Sequence, residues 1–203
     1  MIMIKHKTLF AKTALSSFFV LLLASCTGVP EPQGGYWQEP KDIQAFEAEG
    51  RLAVKVEGKG SYANFDWQYN RSVQTININS PLGNTLGQLC RDEQGVLAVD
   101  HNGKTYQADS ADDLSRQLLG FALPLQYLHV WTHGYWVRDL PYELLPSGRL
   151  KQKDWIISRT LTEKGTTKVL SMENPKLGLR LVFDHINSSN GKQVLQQCEA
   201  RMK

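Results

Sequence analysis

The stretch FEAEGRLAVKV, from Phe46 to Val56, alternates between apolar and polar positions. Successive side chains of a β-strand point to opposite faces, so a period of two predicts a strand with one apolar face and one wet face. A half-wet strand of this kind indicates an antiparallel sheet. The residues predicted to share the apolar face are Phe46, Ala48, Gly50, Leu52, Val54 and Val56.

The same period recurs further along the chain, in YANFDWQY (62–69), QTININ (74–79), DWIISRTL (154–161) and LGLRLVFDHI (177–186). The segment GVLAVDHNGKTYQA (95–108) predicts a hairpin, with Asn102 and Gly103 at the centre of a type I′ turn. The predicted fold class is therefore mainly antiparallel β. The apolar faces of these strands hold Ala63, Phe65, Trp67, Tyr69, Ile76, Ile78, Leu177, Leu179, Leu181 and Phe183.

Between about residues 110 and 134 the apolar period becomes helical. Ser110 as N-cap and Asp113 three residues later predict the start of one helix, and Gly120 predicts its end. Pro124 predicts the start of a second helix. Two short helices with apolar stripes must cover apolar surface, and the concave side of a strongly curved sheet is the nearest candidate. The stripes contain Leu114, Leu118, Leu119, Leu125, Leu128 and Trp131.

Residues 1–25 have the features of a secretory signal peptide. Lys5, Lys7 and Lys12 supply the positive charge, and an apolar run ending in small residues follows. The run is too short for a transmembrane helix, which needs about 20 apolar residues. The sequence LASC, ending at Cys26, resembles the bacterial lipobox, which implies cleavage before Cys26 and acylation of this cysteine. The alternative is an ordinary signal peptide with an incidental cysteine.

The residue after Cys26 is Thr27, not the aspartate that retains lipoproteins in the inner membrane of enterobacteria-like systems, so the inner leaflet of the outer membrane is expected. Residues 26–45 contain several prolines and glycines, which predicts a flexible tether in which Trp37 packs on the body. The body is predicted over residues 46–187, and residues 188–203 form a polar tail of open role.

Charge and cysteine usage limit the function classes. The chain has 23 Lys+Arg and 20 Asp+Glu, and the signal peptide holds three lysines and no acid, which leaves 20 against 20 after cleavage. A neutral mature protein gives no indication of nucleic-acid binding. If Cys26 is acylated, Cys90 and Cys198 remain in an oxidising compartment, where a disulfide is allowed. The pattern does not decide whether the two pair.

The sequence contains no recognisable catalytic constellation. His129 and His133 have the spacing of zinc-binding helices, but HVWTH lacks the glutamate of that motif and no third ligand is evident. We interpret both as histidines on a helix surface and expect no metal, no cofactor and no enzyme activity. A lipid-anchored β-protein with apolar helices over its sheet is instead typical of a carrier for an apolar ligand.

The stretch NSPLGNT (79–85) predicts a tight turn because Pro81 presets φ and Gly83 tolerates a positive φ. Leu82 lies between them, which places an apolar side chain at a turn tip. A single exposed leucine is common and by itself indicates nothing. The alternative interpretation is a leucine packed against a neighbouring strand.

Several stretches occur in one order between Phe46 and Ile186: GRLAVKV, FDWQY, INSPLG, TYQAD, the helix ending at Gly120, LPLQYLHVWTHG and DWIIS. This ordered set resembles the landmarks of the LolB family of outer-membrane lipoprotein receptors. The resemblance implies an incomplete, strongly curved β-barrel with a helical lid over a hydrophobic cavity. It does not extend to the tail after residue 187.

The resemblance also implies a function. Members of the family accept triacylated lipoproteins from the soluble periplasmic carrier LolA and release them into the outer membrane. It implies that Pro81, Leu82 and Gly83 form a membrane-insertion loop, and a monomer is expected. The runner-up is a lipoprotein scaffold or assembly factor with a packed core and no ligand. The candidates for the apolar interior, some of them facing a cavity, are Leu52, Val54, Phe65, Trp67, Ile76, Ile78, Leu114, Leu118, Trp131, Leu179 and Leu181.

Overall fold

The computed structural model describes residues 37–120, 122–188 and 196–202, so the predicted signal peptide, Cys26 and most of the tether lie outside the described residues. Eleven strands follow one another along the described chain. They are β1 (Ala45–Val56), β2 (Lys59–Asn70), β3 (Gln74–Asn79), β4 (Thr85–Asp92), β5 (Gly95–Asp100), β6 (Thr105–Ala108), β7 (Tyr142–Leu144), β8 (Leu150–Gln152), β9 (Trp155–Leu161), β10 (Thr167–Glu173) and β11 (Leu177–Ser188).

All eleven strands form one antiparallel sheet in the order β6-β5-β4-β3-β2-β1-β11-β10-β9-β8-β7. The first and last strands of the chain, β1 and β11, lie side by side near the centre of the sheet. There β1 pairs along its length with both β2 and β11. The strands β6 and β7 are the two edges, so the described sheet is not closed. This confirms the prediction of an unclosed, mainly antiparallel sheet.

A bulge at Gly50 lets β1 follow β11. The pairing register shifts between Glu49 and Gly50. A Cβ at position 50 would lie 2.1 Å from the carbonyl oxygen of Val182. Only glycine allows the two backbones to approach this closely.

Two α-helices and a 3-10 turn lie between β6 and β7: α1 (Ala111–Leu119), the 3-10 turn (Leu125–Tyr127) and α2 (Leu128–Thr132). A further 3-10 turn (Glu199–Arg201) follows β11. The predicted caps are present, since Ser110 Oγ accepts a 3.1 Å hydrogen bond from the Asp113 N–H and Gly120 adopts φ +81°. Within the described ranges, no helix has the length and apolarity needed to cross a membrane.

The core lies on the inner face of the sheet, where α2 packs against both halves. Trp131 of α2 is fully buried among inner-face residues. Its indole N–H donates to the Gln152 side-chain oxygen at 2.9 Å, and the Gln152 amide also bonds the backbone of Val137 and Leu140. Because its polar atoms are all paired, Gln152 can be buried at low cost. The core includes Phe46, Phe65, Trp67, Ile157, Leu170, Leu181 and Phe183.

The turns of the sheet divide between two ends, because successive turns of an antiparallel meander alternate. The upper end of the sheet is defined here as the end that carries the turns 57–58, 80–84, 101–104, 153–154 and 174–176. We call lower the end with turns 71–73, 93–94, 145–149 and 162–166.

The turn at 101–104 differs from the predicted type I′ turn, which needs a positive φ at both central residues. The non-glycine residues with positive φ in the described part of the chain are Glu57 and Lys153, so Asn102 does not qualify. Instead, the Asp100 carboxylate accepts the N–H groups of Asn102 and Lys104 at 2.9 and 3.0 Å. This side-chain cap favours a turn in which Gly103 alone is left-handed.

Residues 196–202, which the sequence predicts to be part of a polar tail, pack on the outer face of the sheet. Cys198 forms a disulfide with Cys90 on β4 and is fully buried. The Asp92 carboxylate accepts the Cys198 N–H and the Arg201 Nε–H, both at 2.9 Å. With Val73 and Leu97 the two cysteines form a small outer core. The outer face of β4 and β5 is therefore covered, although the predicted strands have a wet outer face.

Candidate functional site

An apolar cavity of about 390 Å³ lies between α1 and the inner face of β3 to β6. Its sheet wall includes Ile78, which the predicted alternation places on the apolar face of its strand, and Leu89 on β4, which no prediction covered. Leu114 and Leu118 project from α1, four residues apart and therefore on one helix face. The other apolar lining residues are Leu86, Ala98, Val99, Tyr106, Leu123 and Leu125.

The cavity reaches the upper end of the sheet next to the turn 80–84. Ile78 precedes this turn and Leu86 follows it, and both line the cavity. The register between β3 and β4 shifts here, so that Leu86 has no directly paired residue. Leu86 is 48 % exposed and Leu118 is 39 % exposed, which places both at the rim. The cavity therefore has an apolar rim.

The turn 80–84 holds the Leu82 side chain in solvent, where it is 90 % exposed. The Ser80 N–H donates to the Asn84 carbonyl at 2.7 Å, and the Gly83 N–H donates to the Ser80 carbonyl at 2.9 Å. Ser80 Oγ also accepts the Asn84 N–H at 3.1 Å. Gly83 has φ +87°, which L-residues rarely adopt. These bonds brace the turn from within, so Leu82 is an exposed leucine on a defined support.

The structure gives the eleven candidate interior residues different surroundings, although Ile78 belongs to both sets below, and Val54 and Leu179 also line a further cleft of about 530 Å³. Ile78, Leu114 and Leu118 line the cavity under α1. The other eight lie in the main core or pack against it, and these are Leu52, Val54, Phe65, Trp67, Ile76, Trp131, Leu179 and Leu181. Alternation in a strand indicates which face is inward, but it does not distinguish a wall from a packed interior.

Sequence reasoning missed several residues of the cavity. Leu86 follows the turn 80–84 and falls at a register shift, where alternation is broken. Leu123 lies in the irregular link between Gly120 and the 3-10 turn, so no period marks it. Tyr106 lies inside the predicted hairpin. Its position on the inner side of β6 could have indicated that it lines the cavity.

A family model described as "Outer membrane lipoprotein LolB" matches residues 44–185. The outer-membrane lipoprotein LolB of Neisseria meningitidis is 50 % identical over 95 % of this chain and 100 % of its own length. This chain belongs to the LolB family. The family member from Chromobacterium violaceum is 39 % identical over 68 % of this chain and 76 % of its own length.

Solved structures give weaker likenesses. A DUF1329 family protein from Desulfovibrio piger aligns over 75 % of this chain and 89 % of its own, with a TM-score of 0.49 and 10 % identity. A LolA superfamily protein from Nitrosomonas europaea covers the same shares, with a TM-score of 0.40 and 7 % identity.

A second cleft, of about 800 Å³, lies on the other side of α1 in this LolB family member. Trp155 and Leu177 are buried at its floor, but charged residues form much of its lining. Asp112 on α1 is bridged there to Lys153 at 3.7 Å. Burying an acyl chain against such groups would cost desolvation, so the cavity on the sheet side is the better site for an apolar ligand.

His129 and His133 are not on a free helix surface as predicted, because the His129 ring stacks on an aromatic ring and the His133 ring packs at a tilt against another. The His129 ring lies 4.4 Å from the Tyr69 ring, and the His133 ring lies 4.8 Å from the Phe46 ring. Burial, together with the nearby Arg91 and His133 charges, lowers the pKa of His129 to about 4. Burial also lowers the pKa of His133. Both imidazoles are therefore neutral in the folded protein at pH 7.

We expect the protein to lose stability as the pH falls from 6.5 to 4, because the unfolded chain binds protons at His129 in this range and the folded chain does not. The shift corresponds to about 3 kcal/mol of unfolding free energy at full titration. His129→Phe keeps a ring on Tyr69 and removes this titration. Urea unfolding at pH 7 and pH 4.5 should show that the free energy of unfolding decreases less in the variant than in the parent protein. Equal decreases would contradict the assignment.

Proposed function

We propose that this protein is a lipoprotein of the outer membrane that receives triacylated lipoproteins from the carrier LolA and inserts them into the inner leaflet. The observation that carries the proposal is the apolar cavity whose rim adjoins the turn presenting Leu82. The Neisseria protein, an outer-membrane lipoprotein by name, is similar over nearly the whole chain and supports it. The protein acts as a monomer and carries out transport without an enzymatic step.

The energetics of acyl transfer fit this arrangement. Exposing acyl chains to water costs about 0.8 kcal/mol per CH₂ group, so cargo must move between shielded sites. Transfer from an apolar cavity into a bilayer exchanges one apolar environment for another and is nearly balanced. Transfer therefore needs no nucleotide. Its direction is set because each successive site binds the acyl chains more favourably than the one before. Pro81 and Gly83 present Leu82 to the bilayer while cargo leaves the cavity.

We expect Cys26 to carry the acyl chains that anchor the protein at the periplasmic face of the outer membrane. Two or more chains anchor durably, whereas one chain binds only marginally. Cys26→Ala should give a soluble periplasmic protein that still accepts cargo, because the cavity lies in the body. Mass spectrometry of the mature N-terminus checks this. An unmodified N-terminus at another residue would contradict it.

We expect Ile78→Glu and Leu118→Glu to weaken binding of an acylated peptide by about tenfold or more while the melting temperature falls by only a few degrees. Both side chains line an open cavity, in which water can reach the new charge. The control is Leu170→Glu, because Leu170 is fully buried in the packed core, and this change should unfold the domain. Thermal melts and fluorescence titration measure both effects.

The runner-up, a scaffold that binds no ligand, makes a different prediction for the same assays. Most of the candidate interior residues lie in a packed core, as a scaffold requires. Titration of the mature domain with a hydrophobic probe or an acylated peptide separates the two. Saturable binding supports the carrier, whereas no binding, or collapse of both cavity variants, supports the scaffold.

A further inference from the structure

The inner face of β3 and β4 changes from apolar to polar towards the lower end of the sheet. Ile78, Ile76 and Gln74 occupy successive inward positions on β3, and Gln74 is paired directly with Arg91 of β4. Directly paired residues of an antiparallel sheet have neighbouring side chains. Gln74 and Arg91 are therefore neighbours at positions where the alternation of a half-buried strand predicts apolar residues.

Gln74 and Arg91 lie at the inner end of the cavity under α1. Together they line a void of about 10 Å³, which has the size of about one water molecule. Leu89 and Leu125 line this void and also line the cavity. The void therefore continues the cavity beyond these two leucines, on the side away from the rim.

The polar atoms of this pair are incompletely satisfied. Gln74 is only 4 % exposed, and its amide nitrogen donates to the Leu125 carbonyl at 3.4 Å, which orients the side chain towards the 3-10 turn. Gln74 Oε1 and Arg91 Nε are both buried, and neither has a hydrogen-bond partner among the described residues. One acceptor and one donor therefore remain unused at the inner end of a mainly apolar cavity.

A hydrocarbon chain that reached this pair would lose free energy. The chain offers no hydrogen bond to Gln74 Oε1 or Arg91 Nε, whereas water does, so contact with the chain leaves both atoms without a partner. The four residue steps from Ile78 to Gln74 correspond to about 13 Å of strand, at a rise of about 3.3 Å per residue. A chain that enters at the rim can therefore follow the apolar wall over about this distance before it meets the pair.

We propose that Gln74 and Arg91 form a polar end wall that limits the length of acyl chain that the cavity takes up favourably. Chains that end before the pair are buried along their whole inserted length. Longer chains gain no further affinity, because their additional CH₂ groups either meet the pair or remain outside the rim. The inference rests on the proposed function, namely on acyl chains being the ligand of this cavity.

The test uses the full mature chain with Cys26→Ala and a peptide that carries one acyl chain, in a series from octanoyl to stearoyl. Binding is measured by displacement of a fluorescent hydrophobic probe. In the parent protein, each further CH₂ group should improve the affinity by about fourfold, which corresponds to about 0.8 kcal/mol, until the chain reaches the pair. Beyond this length the affinity should stay constant.

Gln74→Val should shift the limit to longer chains. Valine suits a strand, has no unpaired acceptor and leaves the space of the amide to the acyl chain. The longest chains should bind about tenfold more tightly to this variant than to the parent, whereas chains shorter than the limit should bind within about twofold. Arg91→Met removes the donor on the neighbouring strand and should shift the limit in the same direction, which gives a second test if Gln74→Val does not fold.

Two controls separate the end wall from a general effect of substitution. Gln68→Val makes the same change at an exposed position on β2 and should leave the limit unchanged. Arg91→Lys keeps a charged donor and should also keep the limit.

The end wall is overturned if the affinity of the parent rises through stearoyl without a limit, or if Gln74→Val and Arg91→Met both keep the limit or both fail to fold. It is also overturned if these variants lose the same factor of affinity for every chain length, because the pair would then bind the polar part of the ligand. A parent protein that binds no acylated peptide would instead overturn the proposed function.

Discussion

Leu82→Glu is expected to reduce delivery of lipoproteins to the outer membrane by about 10- to 100-fold while leaving the fold unchanged. Burying one leucine side chain contributes about 1.5–3 kcal/mol, which corresponds to this range. That energy is too small to anchor a protein but sufficient for brief contact between the cavity rim and the bilayer. Glutamate at the tip removes the contact and adds the cost of bringing a charge to the membrane.

The change should spare stability, because the Leu82 side chain is 90 % exposed and the bonds that brace the turn come from Ser80, Gly83 and Asn84. Cargo uptake should also stay near wild type. A matched control is Leu144→Glu, because Leu144 is 50 % exposed on the edge strand β7, beside a lower turn. This control should deliver normally. Normal delivery by Leu82→Glu, or a loss of its stability, would show that Leu82 is a packing residue.

Removal of the disulfide between Cys90 and Cys198 is expected to lower the free energy of unfolding by about 4 kcal/mol. The bond closes a loop with a sequence separation of 108, so its loss returns a large conformational freedom to the unfolded chain. In a body of this size, the melting temperature should fall by about 10 °C. Loosening of the tail would also expose Leu97, now fully buried on the outer face.

This measurement is best made on the mature domain without Cys26, as the double variant Cys90→Ala, Cys198→Ala, which leaves no free thiol. Gln197→Ala is the matched control, because it removes an exposed tail contact to Gln94 and keeps the disulfide. The control should lose much less stability. A double variant that melts within about 2 °C of the parent would show that the tail does not stabilise the body through this bond.

Much of the fold was predictable because strand faces and turns depend on local patterns. The alternation around Leu52 and Phe65 identified inward positions without any knowledge of their neighbours. The cavity was less predictable: Ile78 and Trp67 share one inner face, yet the first lines a cavity and the second is packed. The difference depends on where α1 and α2 lie over the sheet, and neither strand's sequence contains that information.

The histidines and cysteines also show that a local sequence pattern does not determine which distant residues come into contact. The spacing of His129 and His133 indicated one face of a helix, but whether that face meets water or the Tyr69 and Phe46 rings depends on the packing of α2. Cys90 and Cys198 are far apart along the chain, and their pairing depends on the path of the tail over the outer face. Neither outcome follows from a periodicity.

The sequence by itself determined what short-range physics controls: the alternating strands, the capped helix at Ser110, the turn that exposes Leu82 and the lipobox-like stretch ending at Cys26. Only the tertiary structure decided which inward residues enclose a cavity, which cysteines join and where residues 37–44 pack. The physical reason is that periodicity, capping and turn chemistry depend on nearest neighbours along the chain. Cavities, disulfides and docking sites depend on contacts between segments about a hundred residues apart, such as Trp37 with Gly148.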